Sequence, residues 1–115
     1  MIPSHAPEQS AIAFQLIAAL DQYEIDLARL IEGQWDAALF TELTTQFDTM
    51  RNLAAALPRL SVGWVEMLIT RFDLIEEVWK QQTGRRAGEL PGKYARHRAI
   101  IAELRRNCAL YCRKR

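Results

Sequence analysis

An all-α fold, an antiparallel bundle of four helices, is predicted by three observations. Apolar residues recur every three or four positions almost throughout the chain, and the strict alternation of a half-buried strand is missing. Glycine and proline are scarce, 5 and 4 in 115 residues, and fall mainly at the breaks between periodic segments. Half of the residues are apolar and a quarter are charged, the balance of a folded globular chain, and the length suits one domain spanning 1–115.

The first helix is expected over 8–32. Ala13, Leu16, Leu20, Tyr23, Leu27 and Leu30 step by three and four, Ile12, Phe14, Ile17 and Ile31 widen the stripe, and Pro7 suits the first turn. Gly33 is read as a left-handed stop. A second helix over 35–57 carries Leu39, Leu43, Phe47, Met50 and Leu57, with Asp36 in its first turn, where the helix dipole favours an anion. Pro58 ends it, because the residue before a proline disfavours helical geometry. Ser61 is read as the cap of a third helix over 62–82, whose stripe is Val65, Leu68, Phe72, Ile75 and Trp79, and Gly84 as its stop. A fourth helix over 93–112 turns His97, Ile101, Leu104, Cys108 and Tyr111 inward. Short connections make the first three helices antiparallel neighbours. The glycine-containing linker over 84–92 leaves the fourth expected to be only loosely docked.

Charge is distributed unevenly. Residues 1–57 hold two arginines against eight carboxylates, net −6, whereas residues 58–115 hold thirteen cations against six carboxylates, net +7. Two readings follow: a basic partner-binding end, or acidic helices lying against basic ones within one bundle.

Catalytic and metal chemistry find little support, and no enzyme, cofactor, metal site or catalytic residue is expected. Cys108 and Cys112 lie one turn apart, unsuited to a disulfide, and with His97 they supply too few ligands for a zinc module. Gly88-Glu-Leu-Pro-Gly-Lys93 is one residue short of a phosphate loop and places Tyr94 where a hydroxyl should bind magnesium. The carboxylates Asp21, Glu24 and Asp26, and the pair Glu76 and Glu77, have no histidine partner and read as solvated helix faces. No apolar run is long enough to span a membrane, and Met1-Ile-Pro-Ser-His-Ala-Pro7 lacks the cationic and apolar regions of a signal peptide. The expected location is therefore the cytosol, without membrane insertion.

The third helix has an apolar surplus. Trp64, Val65, Met67, Leu68, Ile69, Phe72, Leu74, Ile75, Val78 and Trp79 cover more than one face, which in a small bundle means that part of the helix meets a partner. A groove between the second and third helices is expected, lined by Leu43, Phe47, Met50, Leu68, Phe72, Ile75 and Trp79 and suited to an amphipathic helix. Trp35 is assigned to structure.

The stretch Leu27-Ala-Arg-Leu-Ile-Glu-Gly-Gln-Trp-Asp-Ala-Ala-Leu39, a long helix ending in Gly-Gln-Trp-Asp before a second that breaks at Pro58, resembles the FliT family of flagellar export chaperones. The likeness extends through Leu74-Ile-Glu-Glu-Val-Trp-Lys-Gln-Gln82, in the place of the family's acidic and Gln-rich segment. The resemblance implies a type III export chaperone that binds the helical C-terminal region of the filament cap protein, prevents its premature assembly and delivers it to the export ATPase complex. It also implies binding to the flagellar master transcription activator, a repressing role without direct contact to nucleic acid. The family's last helix is thought to cover part of the binding surface. Here that makes Arg98, Ile101, Leu104 and Arg105 the regulatory residues, and the basic fourth helix a lid over the acidic helices before it. The chain departs from the family in its arginine-rich fourth helix and its two cysteines. Two alternatives belong to other classes: a nucleic-acid-binding protein using those arginines, and a structural homodimer that buries the third helix against its twin.

Overall fold

The computed structural model describes residues 7–112, which form four helices: α1 (Pro7–Glu32), α2 (Ala37–Ala55), α3 (Ser61–Gln82) and α4 (Leu90–Cys112), with a short 3-10 turn, Pro58–Leu60, leading into α3. The all-α four-helix architecture is the one expected. Ala13, Leu16, Leu20, Tyr23, Leu27 and Leu30 all lie in the core, so the stripe of α1 faces inward along its length.

Local chemistry fixes the ends of the elements. Asp36 is the N-cap of α2, extended at φ −139° and ψ 104°, and its Oδ1 accepts from the Leu39 N–H at 3.1 Å, a contact that typically stabilises a helix by about 1 kcal/mol. Gly33 is not left-handed, contrary to expectation; its N–H donates to the Arg29 carbonyl, and a Cβ there would stand 2.6 Å from that oxygen. Gly84 is the one positive-φ residue among those described, at 75°. Around it the Gly84 N–H bonds Gln81 O and the Arg85 N–H bonds Lys80 O at 2.8 Å, the paired closure that stops a helix with a left-handed glycine. Ser61 is the first residue of α3 and not its cap, because the 3-10 turn runs directly into the helix. α4 begins at Leu90, three residues before the expected start, with Pro91 in the first turn, where no intrahelical donor is lost.

Around the bundle, α1 packs closely on α2 and on α4, and α4 packs closely on α3. The fourth side differs: α2 and α3 approach at few backbone points and are bridged by large side chains. Phe47 stacks on Trp64 at 4.9 Å between ring centroids, and Phe40 meets Trp79 edge-on at 5.5 Å. A radius of gyration of 15.5 Å, against about 13 Å for a compact chain of this size, makes the molecule a rod with a thin core.

α4 is not loosely docked. Ile101, Leu104, Cys108, Tyr111 and His97 are all buried between α1 and α3, and Gly63 lets α3 lie so near that a Cβ there would stand 2.9 Å from Leu104 Cδ2. The far end of α4 is tied twice more, by Ser10 Oγ donating to Tyr111 O at 2.7 Å and the Arg59 N–H donating to Tyr111 Oη at 3.0 Å. The loop is shorter than the expected 84–92, so less chain separates α4 from α3. Among the described residues, no helix is long and apolar enough to cross a membrane.

Candidate partner-binding face

α3 has two apolar stripes, and the stripe read from its spacing is not the one that turns inward. Trp64, Met67, Leu74 and Val78 are buried, accompanied by the polar Thr70 and Glu77. The stripe of Val65, Leu68, Phe72 and Trp79 is exposed, with Val62 and Ile69 beside it and Ile75 half-buried at its edge. Phe72 is 71 % exposed and Val62 73 %, values far from those of a core position. This face runs from Val62 to Trp79, roughly 26 Å at 1.5 Å per residue, and Glu76 is the one charged residue along its middle. At its C-terminal end a depression of about 320 Å³ lies among Phe72, Ile75, Trp79, Lys80 and Arg85.

Of the residues expected to line a groove between α2 and α3, Leu68, Phe72, Ile75 and Trp79 therefore lie on or beside the open face. Leu43, Phe47 and Met50 do not: each is at most 4 % exposed. They belong to the core because α1, on the other side of α2, needs their stripe to cover its own. Phe47 is held between Trp64 and the Arg71 guanidinium, which sits 4.4 Å from the ring centroid. Trp35 packs on Phe40 and Trp79, with centroids 5.5 and 5.3 Å apart, a structural role that orients Trp79 at the end of the face.

The acidic and basic halves meet along α1 and α4. Arg105 bonds Asp21 Oδ1 at 2.8 Å and Glu24 Oε1 at 2.7 Å, and Arg98 Nε stands 3.5 Å from Glu24 Oε2. Charge separation along the sequence is thus partly cancelled within the bundle. Two of the arginines a nucleic-acid interface would use are committed to carboxylates, and Arg113, Lys114 and Arg115 lie outside the described residues. The four residues assigned to a regulatory helix divide by role: Ile101 and Leu104 are core, Arg98 and Arg105 are ion-paired to α1. α4 lies on α1 and α3 and does not close over α2, and it leaves the exposed stripe of α3 uncovered.

The polar groups around His97 are satisfied by one another. Tyr23 Oη lies 2.9 Å from His97 Nε2, and Thr70 Oγ1 lies 2.7 Å from His97 Nδ1 and 3.0 Å from the Glu66 carbonyl. One proton arrangement satisfies all three: Tyr23 donates to Nε2, Nδ1–H donates to Thr70, and Thr70 donates to the Glu66 carbonyl. Burial, reinforced by the nearby Arg71 charge, lowers the His97 pKa to about 4, so the ring is neutral. Both ring nitrogens are engaged, and neither is free for a metal. Cys108 is a buried free thiol pushed by burial up to about 12, and Cys112 is exposed.

Asp26 and Glu77, expected on solvated faces, are also buried. Burial alone would raise the Asp26 pKa, but hydrogen bonds from Gln46, Gln22 and Arg29 outweigh it and hold the carboxylate below its ordinary range. Glu77 is held low first by its bond from Lys80 Nζ at 2.8 Å, then by Lys93 and by the Glu89 backbone N–H, which pins the start of α4 to α3.

Comparison of the chain with protein-family models, with curated proteins and with solved structures gives no match.

Proposed function

We propose that this chain is a helix-binding bundle that shields an amphipathic segment of another protein on the exposed face of α3. The particular reading is a flagellar export chaperone of the FliT kind, holding the helical C-terminal region of the filament cap protein, as the resemblance at Gly33-Gln-Trp-Asp36 implies. The observation that carries the first step is the face itself: Val62, Val65, Leu68, Ile69, Phe72 and Trp79 exposed on one helix. A monomer seldom leaves so long an apolar stripe in water unless a partner covers it. The mechanism needs no covalent chemistry. Burial of the partner's apolar face supplies affinity, and rim charges supply orientation and on-rate.

The export ATPase complex and the master activator are partners by the same resemblance, and competition with the cap segment would place them on the same face. The test is a pull-down of the full chain with the cap protein's C-terminal segment, alongside Val65→Glu and Phe72→Glu variants. Binding by the parent chain and its loss in both variants supports the reading. No binding by the parent chain, or binding unchanged in both variants, sinks it.

A further inference from the structure

Among the half-buried cations of the described residues, Arg71 is the one left without a carboxylate. Four cations among the described residues are half-buried: Arg71, Lys80, Lys93 and Arg105. Lys80 and Lys93 share Glu77, and Arg105 takes Asp21 and Glu24, but no described carboxylate lies within 4.0 Å of Arg71. Its guanidinium has only neutral neighbours: the Phe47 ring, Thr44 Oγ1 at 3.4 Å and the Tyr23 hydroxyl. Partly desolvating a guanidinium with five donors is costly unless a carboxylate answers it, as it does for the other three. Seven residues earlier on the same side of α3, the buried Trp64 indole N–H also lacks an acceptor. The side of α3 that faces α2 thus holds one buried donor without an acceptor and one half-buried cation without a carboxylate beside an exposed apolar stripe.

We infer that the α2–α3 side takes an amphipathic helix whose apolar face carries a glutamate or aspartate, and that Arg71 is the residue that selects it. This rests on the helix-binding reading above and adds the chemistry of the partner. A bare phosphate or a soluble acid would answer the charge and leave the stripe uncovered; an uncharged helix would do the reverse. A second copy of this chain fits less well. The carboxylate that α3 itself offers on its open face is Glu76, five residues beyond Arg71 and therefore roughly 140° away around the helix, so twinned α3 faces would leave Arg71 unanswered.

The experiment is a selection of displayed amphipathic helices, about 18 residues long to match the face, with each position free to be apolar, Glu, Gln or Lys. Selection is made against the full chain and against Arg71→Met and Arg71→Glu. On the parent chain, one position within the apolar face should converge on Glu, and its replacement by Gln should weaken binding about tenfold or more. That arm leaves the protein unaltered, so it reads out even where a variant fails to fold. Arg71→Met should erase the preference, and Arg71→Glu should turn it to Lys. Apolar helices selected without an acid, or an acid preference unchanged in Arg71→Met, overturn the role of Arg71 and leave the helix-binding reading standing. No helix selected, or a dimer whose dissociation follows Leu68→Glu, overturns both.

Discussion

The two long seams of the bundle, α1 with α4 and α2 with α3, separate stability from binding. On the first, α4 inserts Ile101, Leu104 and Cys108 to near-zero exposure, His97 is held from both sides, and Arg105 closes the rim with two carboxylates. On the second, large aromatic rings span a gap that the backbones leave open, and one cation finds only neutral company. A seam closed by backbone proximity and matched charge has nothing left to offer a partner. One bridged by rings, with a guanidinium to spare, has both apolar area and an unanswered charge.

The contrast breaks most severely if α4 is removed. Truncation after Gly92 strips the core of five buried side chains, and the remainder should lose its cooperative thermal transition by circular dichroism. Were α4 a lid, the shortened chain would stay folded and bind more tightly. A single Leu104→Ala change should cost about 3 kcal/mol in urea unfolding, because Leu104 is 1 % exposed and packed against Gly63 with little room for relaxation.

The buried histidine gives the closed seam a pH dependence. His97 is depressed to about 4 in the folded chain against 6.5 for the free side chain, so the unfolded chain binds the additional proton between these values. Stability is full above pH 6.5 and falls by about 3 kcal/mol as the pH drops to about 4, with no further loss from this group below that. Melting midpoints between pH 7 and pH 4 should follow this slope, and His97→Gln, less stable at pH 7, should flatten it. A parent chain whose midpoint does not move over that range would show that the Tyr23–His97–Thr70 arrangement is not maintained.

Much of this division is legible in the sequence, and the part that is not has a physical reason. The stripe of α1, the acidic Asp36 at the start of α2 and the Gly84 stop are local: each depends on spacing or backbone chemistry within a few residues, although Asp36 proves to be the N-cap and not a first-turn residue. The surplus on α3 is legible too, since eleven apolar residues in one helix exceed what one buried face holds. Which stripe turns inward is not, because the buried one is broken by Thr70 and Glu77 whereas the exposed one reads as the better amphipathic pattern. Those polar residues are tolerated inside because His97 and Lys93 arrive from α4 to meet them, with Lys80 reaching Glu77 from the next turn of α3. Docking of α4 escaped the sequence for the same cause: its ion pairs reach 81 and 84 residues along the chain, a distance no periodicity records.

Arg105 tests how much the rim of the closed seam contributes. Its side chain is 32 % exposed, and solvent screens its two carboxylates, so Arg105→Ala should cost about 1 kcal/mol or less, shrinking further in 1 M salt. A larger loss that persists in salt would mean that the arginine stem, and not its charge, seals α4 to α1.

The smallest effect on stability is expected on the open seam, where it is most informative. Phe72 is 71 % exposed, so its ring buries little on folding and Phe72→Ser should shift the unfolding free energy by no more than about 0.5 kcal/mol. The same change removes the most exposed aromatic of the stripe, and affinity for a helical partner should fall at least tenfold, as truncation of a central aromatic anchor does. Calorimetric titration of one selected helix into parent and variant chains, with their melts recorded in the same buffer, separates the two quantities. Loss of stability together with affinity would place Phe72 in the core after all and move the binding face elsewhere. Affinity lost at unchanged stability is the result expected of a side chain left in water for a partner to cover.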